Sequence, residues 1–328
     1  MRKILVLILA ASAFGLVFSS CTTPKGPQTP VPLTKEQLQA LASRAKLAPL
    51  FGITIYPSAD GPVFGGANRV HDGDVAEVSF PAGENSPAPL VQVTSGGSDP
   101  VDALIDTSSP QNWATLAMMN TLNIELMAAP SLLESRPSHV YDMISGFLGI
   151  AGHLKIDQAG MENALFQLRG AAGPLGPLAR GMADPKLSVV LGVDTLKSFN
   201  HVQFNFPSHF VILSASTDYH PDADKLLATV PLIYVGGSIA AAGELEGAPA
   251  SFILDTGGNY AVALPTNRPA AKVSQVSFGD LVIRDLAGTP CMDLALGPVS
   301  NPRLGRLALA RYKVILDFRR RNIYFEKP

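Results

Sequence analysis

Short apolar runs, closed by clusters of Gly, Pro, Asn and Asp, recur along most of the chain and predict strands. Gly52–Tyr56, Val75–Phe80 and Pro89–Val93 are the first of them. Leu90–Val93, the turn Ser95–Asp99 and Val101–Ile105 pattern a hairpin that runs straight into Asp106. The strand pattern returns at His153–Ile156 and Asn163–Leu168, around a turn at Gln158-Ala159-Gly160. It continues through Leu187–Asp194, Val202–Phe206, Val230–Val235, Ser251–Leu254, Ser274–Gly279 and Leu281–Ile283. Helical spacing occurs in two places. Lys35–Lys46 places Leu38, Leu41 and Ala42 on one face. Thr115–Glu134 carries Leu116, Met118, Met119, Leu122, Ile124, Leu126 and Met127, which predict one or two helices broken at Pro130. That stretch is expected to be a helical insertion over about 114–150. Gly170–Asp184, rich in Gly, Pro and Ala, reads as a loop.

The pattern is also repeated. Val314–Phe325 aligns without gaps on Val202–Leu213, each reading strand, polar turn, strand, and upstream Leu304-Gly305 matches Leu191-Gly192. Ahead of these, Ala103-Leu104-Ile105-Asp106-Thr107-Ser108-Ser109 has a counterpart in Phe252-Ile253-Leu254-Asp255-Thr256-Gly257-Gly258. Each is an apolar strand ending in an Asp-Thr turn, which places one carboxylate where a buried strand meets a polar loop. A single copy of such a turn is a common accident; a pair, one in each half of the chain, is not. If the two carboxylates meet across a pseudo-twofold axis, low dielectric and mutual repulsion make one hold a proton while the other is ionised. That is the equipment for activating water against a peptide bond.

These turns resemble those of the aspartic peptidases, the pepsin and retropepsin group, over roughly residues 85–113 and 150–328. The resemblance implies a mainly β fold of two related, closed, barrel-like lobes, 35–215 and 216–328, with the helical insertion in the first. It implies an acid–base endopeptidase acting on a peptide or protein substrate without a cofactor, with Asp106 and Asp255 as the catalytic pair. Thr107 and Thr256 are then expected to cross-brace the turns, which Ser108, Ser109, Gly257 and Gly258 complete. Gly192 and Gly305 match the family's hydrophobic-hydrophobic-Gly segments, which pack beneath the Asp turns. Trp113, seven residues after Asp106, stands where the family has a Trp, and on its own residue type it is equally a core aromatic. The 153–168 hairpin corresponds to the flap that closes over substrate, without the flap Tyr of pepsin-like members. Ser109 stands where family members use a hydroxyl to bond the adjacent Asp, and Gly258 offers none. Asp106 is therefore expected to ionise first and Asp255 to hold the proton.

Composition adds context. With 328 residues, 47% hydrophobic and 16% charged, the chain is long enough for two lobes with cores of their own. A net charge of −2 gives no argument for a nucleic-acid partner, and Arg319-Arg320-Arg321 reads as a solvated hairpin tip. The six His show no metal-ligand spacing, and His-Glu-x-x-His, phosphate-loop and Gly-x-Ser-x-Gly motifs are lacking, so no metal is expected.

Residues 1–20 read as a signal peptide, with basic Arg2 and Lys3 before apolar Ile4–Phe18. Ser19-Ser20-Cys21 resembles the lipobox of bacterial lipoproteins, with Phe18 where Leu is usual. That resemblance implies a palmitate-type acyl anchor on Cys21, a lipid bilayer as partner and a place in the cell envelope, facing the periplasm or the surface. Residues 21–34 would be a flexible tether, and Cys291 the one remaining thiol, without an internal disulfide. Two other readings stand beside the peptidase: a non-catalytic envelope lipoprotein that binds peptides in the same cleft, and a structural lipoprotein with coincidental motifs. Whether both carboxylates reach one water separates the last from the rest.

Overall fold

The computed structural model describes residues 34–58, 62–81, 88–128, 143–169, 187–294, 296 and 299–328. The expected signal peptide, Cys21, nearly all of the tether and the 170–184 loop lie outside the described residues. Helix α1 (Lys35–Ala42) opens the fold on a capping box: Thr34 Oγ1 accepts from the Gln37 N–H while the Gln37 side chain accepts from the Thr34 N–H. A 3-10 turn (Ala48–Phe51) and the hairpin of β1 (Thr54–Tyr56) with β2 (Val63–Gly65) follow. Strands β3 (Arg69–Val70) and β4 (Val75–Ser79) lead into the first lobe.

That lobe comprises β5 (Leu90–Ser95), β6 (Val101–Ile105), β7 (Asn112–Thr115), α2 (Met118–Thr121), β8 (Ile124–Ala128), β9 (Met143–Ile156), β10 (Ala159–Arg169), β11 (Val189–Leu191) and α3 (Val193–Leu196). Strands pair in the order β10-β7-β11-β6-β5-β9, and β9 pairs back onto β10, so the sheet closes on itself. Closure leaves no free edge between those strands. The chain then lays down β12 (His201–Asn205), β13 (Phe210–Ser214) and β14 (Leu226–Val235).

The second lobe repeats the plan. It is built of β15 (Ser238–Leu245), β16 (Ala248–Asp255), β17 (Val262–Leu264), β18 (Ala271–Phe278), β19 (Leu281–Pro290), β20 (Arg303–Gly305) and α4 (Arg306–Leu309). The order β16-β20-β17-β19-β18-β15 closes through β15 with β16. Finally β21 (Lys313–Asp317) and β22 (Asn322–Glu326) join a sheet shared by both halves, in the order β14-β22-β21-β12-β13-β4. Gln203 on β12 faces Ile315 on β21 at its centre. The fold is thus mainly β with two lobes, each a sheet closed on itself, and β12–β13 match β21–β22 residue for residue in the register that the repeat aligns.

Two expectations are corrected. The run from Thr115 is not a helical insertion in its described part: one helical turn, α2, is followed by a strand, β8, and residues 143–150 belong to β9. Residues 129–142 lie outside the described residues. Leu and Met favour helix in isolation. Here Ile124 and Leu126 are buried on either side of exposed Glu125, and pairing with β9, Ile124 opposite Ala151, decides for strand. The 153–168 hairpin is likewise no cover over the Asp turns. Ile156, next to its turn, faces Val93 on β5, and Val93 faces Val101, five residues before Asp106. With Leu154, Ile156, Phe166 and Leu168 all buried, the hairpin is a wall of the barrel.

Candidate active site

Strand β6 has Leu104 and Ile105 fully buried, and β16 has Phe252, Ile253 and Leu254, so both strands carry their last residue inside before the chain turns. Asp106 and Asp255 are therefore buried at 0% and 2% exposure. In each lobe a parallel strand supports the aspartate. Ile105 lies beside Leu191 on β11, and the Asp106 N–H donates to the Leu191 carbonyl at 3.0 Å. Asp255 lies beside Gly305 on β20. Beneath the turns the Val193 N–H reaches Ser109 O at 2.8 Å, and the Arg306 N–H reaches Gly258 O at 2.9 Å. The two hydrophobic-hydrophobic-Gly segments thus take up the turns' carbonyls in the same way.

The turns are tied to each other across the lobes. Thr107 Oγ1 donates to Leu254 O at 2.6 Å and accepts from the Thr256 N–H at 3.2 Å. Reciprocally, Thr256 Oγ1 donates to Ile105 O at 2.8 Å and accepts from the Thr107 N–H at 3.1 Å. Each hydroxyl spends its donor and an acceptor on the opposite strand, so neither aspartate can drift without breaking buried bonds. Ser238 adds a clasp, its hydroxyl donating to Ser108 O at 2.6 Å, and the Ile239 N–H reaches Thr107 O at 3.0 Å. Gly257 brings the second turn against the first aspartate: a Cβ there would lie 3.0 Å from both Cγ and Oδ2 of Asp106.

The carboxyls sit in unlike surroundings. Asp106 Oδ1 accepts from the Ser108 N–H at 2.8 Å, and its buried Oδ2 has no hydrogen-bond partner among the described residues. Burial pushes the Asp106 carboxyl up to about 7, the negative charge of Asp255 adds to the rise, and the Ser108 N–H and Arg303 oppose it. Asp255 Oδ2, by contrast, accepts from the Tyr260 hydroxyl and lies 3.6 Å from an Arg303 Nη1. Arg306 is fully buried under the second turn, donating from Nη1 to Gly257 O at 2.9 Å.

The Asp106 carboxyl is thus raised, where a bond from Ser109 was expected to lower it. Ser109 does not bond Asp106: its hydroxyl donates to Gln111 O at 2.7 Å and accepts from Trp113 Nε1 at 2.8 Å. Trp113 itself is buried among Ala88, Leu104, Leu187 and Val190, a core aromatic whose polar edge holds the first turn. Gly258 indeed offers no hydroxyl, but Tyr260 supplies one two residues later. Tyr260, Arg303 and Arg306 are the functional candidates that sequence reasoning missed. Their only signals are position, Tyr260 five residues past Asp255 and the arginines flanking Leu304-Gly305. Among the described residues no group of three or more His, Cys, Asp or Glu is placed to hold a metal ion.

No protein-family model matches the chain, and no curated protein matches it. Among solved structures the chain is similar to an aspartic proteinase from Irpex lacteus, at 11% identity and a TM-score of 0.45, over 77% of this chain and 97% of that one.

Proposed function

We propose that this chain is an aspartic endopeptidase that hydrolyses peptide bonds with a water activated between Asp106 and Asp255. The observation that carries the proposal is the reciprocal Thr107–Thr256 brace, which ties together the two turns, one from each lobe, that carry the buried carboxyls. Burying paired carboxyls costs stability, and a brace that keeps them in register is the preorganisation that acid–base hydrolysis needs. The ionised carboxylate takes a proton from water as its oxygen adds to the scissile carbonyl carbon. The protonated carboxyl donates to the carbonyl oxygen; in the collapse of the resulting diol the carboxyl that took the water's proton passes it to the leaving nitrogen as the C–N bond breaks, and a diol hydroxyl returns its proton to the other carboxylate, without a covalent enzyme intermediate.

With the Asp106 proton lost near pH 7, kcat/KM is expected to fall as pH rises through about 7. A mixed peptide library offered to the soluble form beginning after Cys21, from pH 3 to 9, tests both statements. Cleavage blocked by a statine-type transition-state analogue, with the alkaline limb near 7, is the expected result. Peptide binding without cleavage, surviving Asp106→Asn and Asp255→Asn, would instead make the chain a cleft-binding protein.

The sequence Ser19-Ser20-Cys21 after an apolar stretch supports, as a further part of the proposal, an acyl anchor on Cys21 that holds the enzyme to a bacterial envelope membrane. No helix of the described residues is long and apolar enough to cross a membrane. Labelled palmitate fed to expressing bacteria is expected to enter the wild-type protein and not Cys21→Ser. Equal labelling of the two, or none in the wild type, would remove the anchor.

A further inference from the structure

The glycines of the second turn make room for a ring. A Cβ on Gly258 would lie 2.5 Å from Cε1 and 2.7 Å from Cζ of Tyr260, and one on Gly305 would lie 2.7 Å from Cδ2 and 2.9 Å from Cε2. Neither glycine has a positive φ, so their missing side chains supply space rather than backbone freedom. The ring is 4% exposed, and its backbone is held by the Leu307 N–H, which donates to Tyr260 O at 3.1 Å. A phenol buried there needs a partner for its hydroxyl, and that partner is Oδ2 of Asp255.

We infer that Tyr260 is a positioning residue whose hydroxyl keeps the negative charge of the pair on Asp255, leaving the proton to Asp106; this rests on the peptidase reading above. A hydrogen bond to an ionised acceptor is roughly twice as strong as one to a neutral acceptor, so a fixed donor favours the anion. Burial and the Asp255 charge hold the Tyr260 hydroxyl well above the usual phenol range, so it remains a donor wherever the pair titrates. The other charged groups facing this point are Arg303 on β20, Arg306 on α4 and Asp106 itself. Arg303, 3.6 Å from Asp255 Oδ2, favours the anion there, and it also favours an anion on Asp106, so the phenol is the donor that bears on one carboxyl alone. The first turn has no such donor: the residue five past Asp106 is Gln111, which makes the same 2.3 Å carbonyl approach to the Cβ position of Gly192 that Tyr260 makes to that of Gly305. One side-chain difference between equivalent positions thus breaks the symmetry of the pair.

Tyr260→Phe removes the hydroxyl and keeps the ring. Its acid-side limb of kcat/KM against pH is expected to move up by about one unit, lowering kcat/KM about tenfold below that limb. A merely structural role would scale the whole profile without moving the limb. Carboxyl-carbon NMR of protein labelled at aspartate, with signals assigned through Asp106→Asn and Asp255→Asn, gives a readout that needs no turnover. Asp255 is expected to ionise before Asp106 in the wild type, and its midpoint to rise in Tyr260→Phe. An unmoved limb with unmoved midpoints, or Asp106 ionising first, would overturn the assignment. A wild type that cleaves nothing removes the peptidase reading alone, because the NMR titration still decides where the charge sits.

Discussion

Asp106→Asn and Asp255→Asn are each expected to lower the proposed peptide hydrolysis by about a thousandfold or more, and Asp106→Asn is expected to be more stable than the wild type at pH 8. The loss of rate would follow from removing one of the two groups proposed to act as acid and base on the same water. The gain in stability follows from linkage. The Asp106 carboxyl titrates at about 7 in the fold, against 3.8 for an ordinary aspartate. Below pH 3.8 it is protonated in folded and unfolded chains alike, and its burial costs no charge. As pH rises from there to about 7, the unfolded chain gains by ionising while the folded one does not. Above about 7 the folded protein carries the full penalty of a buried, repelled anion. That gap corresponds to about 4 kcal/mol.

Asparagine carries no charge and keeps an oxygen for the Ser108 N–H. Urea midpoints should therefore nearly coincide at pH 3.5 and diverge at pH 8, with the variant higher. A variant less stable than wild type at pH 8 would show that Asp106 is not a destabilising buried charge. It would also weaken the case that the activity loss is chemical rather than structural.

Gly192→Ala is expected to destabilise the protein by about 3 kcal/mol or more. The reason is contact with backbone, which cannot rotate away: a Cβ there would lie 2.3 Å from Gln111 O and 2.5 Å from Ser109 O. Gly192 has φ −98° and ψ −168°, an extended conformation open to any residue, so the glycine is required for space alone. Relieving the clash means moving β11 away from the Asp106 turn, which breaks the Asp106 N–H to Leu191 O bond and the Val193 N–H to Ser109 O bond together. Gly152→Ala in β9 is the control, since nothing lies within 4 Å of its Cβ position, and it should change stability by less than about 1 kcal/mol. Urea unfolding of the two variants side by side decides the matter. Equal midpoints would mean that the segment beneath the turn can give way freely.

What the sequence determined by itself is whatever rests on local pattern or on repetition. The apolar strands ending at Asp106 and Asp255, the matching Leu-Gly segments and the β12–β13 and β21–β22 hairpins are all legible because a buried strand needs a run of apolar residues whatever surrounds it. The threonines belong there too, since Thr107 and Thr256 occupy the same place in two copies of one turn. Tertiary structure alone decided the rest. Ile124–Ala128 has the composition of a helix and became a strand because β9 was there to pair with it. Ser109 has a hydroxyl at the expected place, but Gln111 O and Trp113 compete for it and win over Asp106. Tyr260 carries no motif at all, and it becomes the partner of Asp255 only because Gly258 and Gly305, 47 residues apart in the chain, leave a slot one ring wide. Hydrogen-bond partners and carboxyl titration depend on which groups lie within a few ångströms, and that information comes into being only when distant segments pack together.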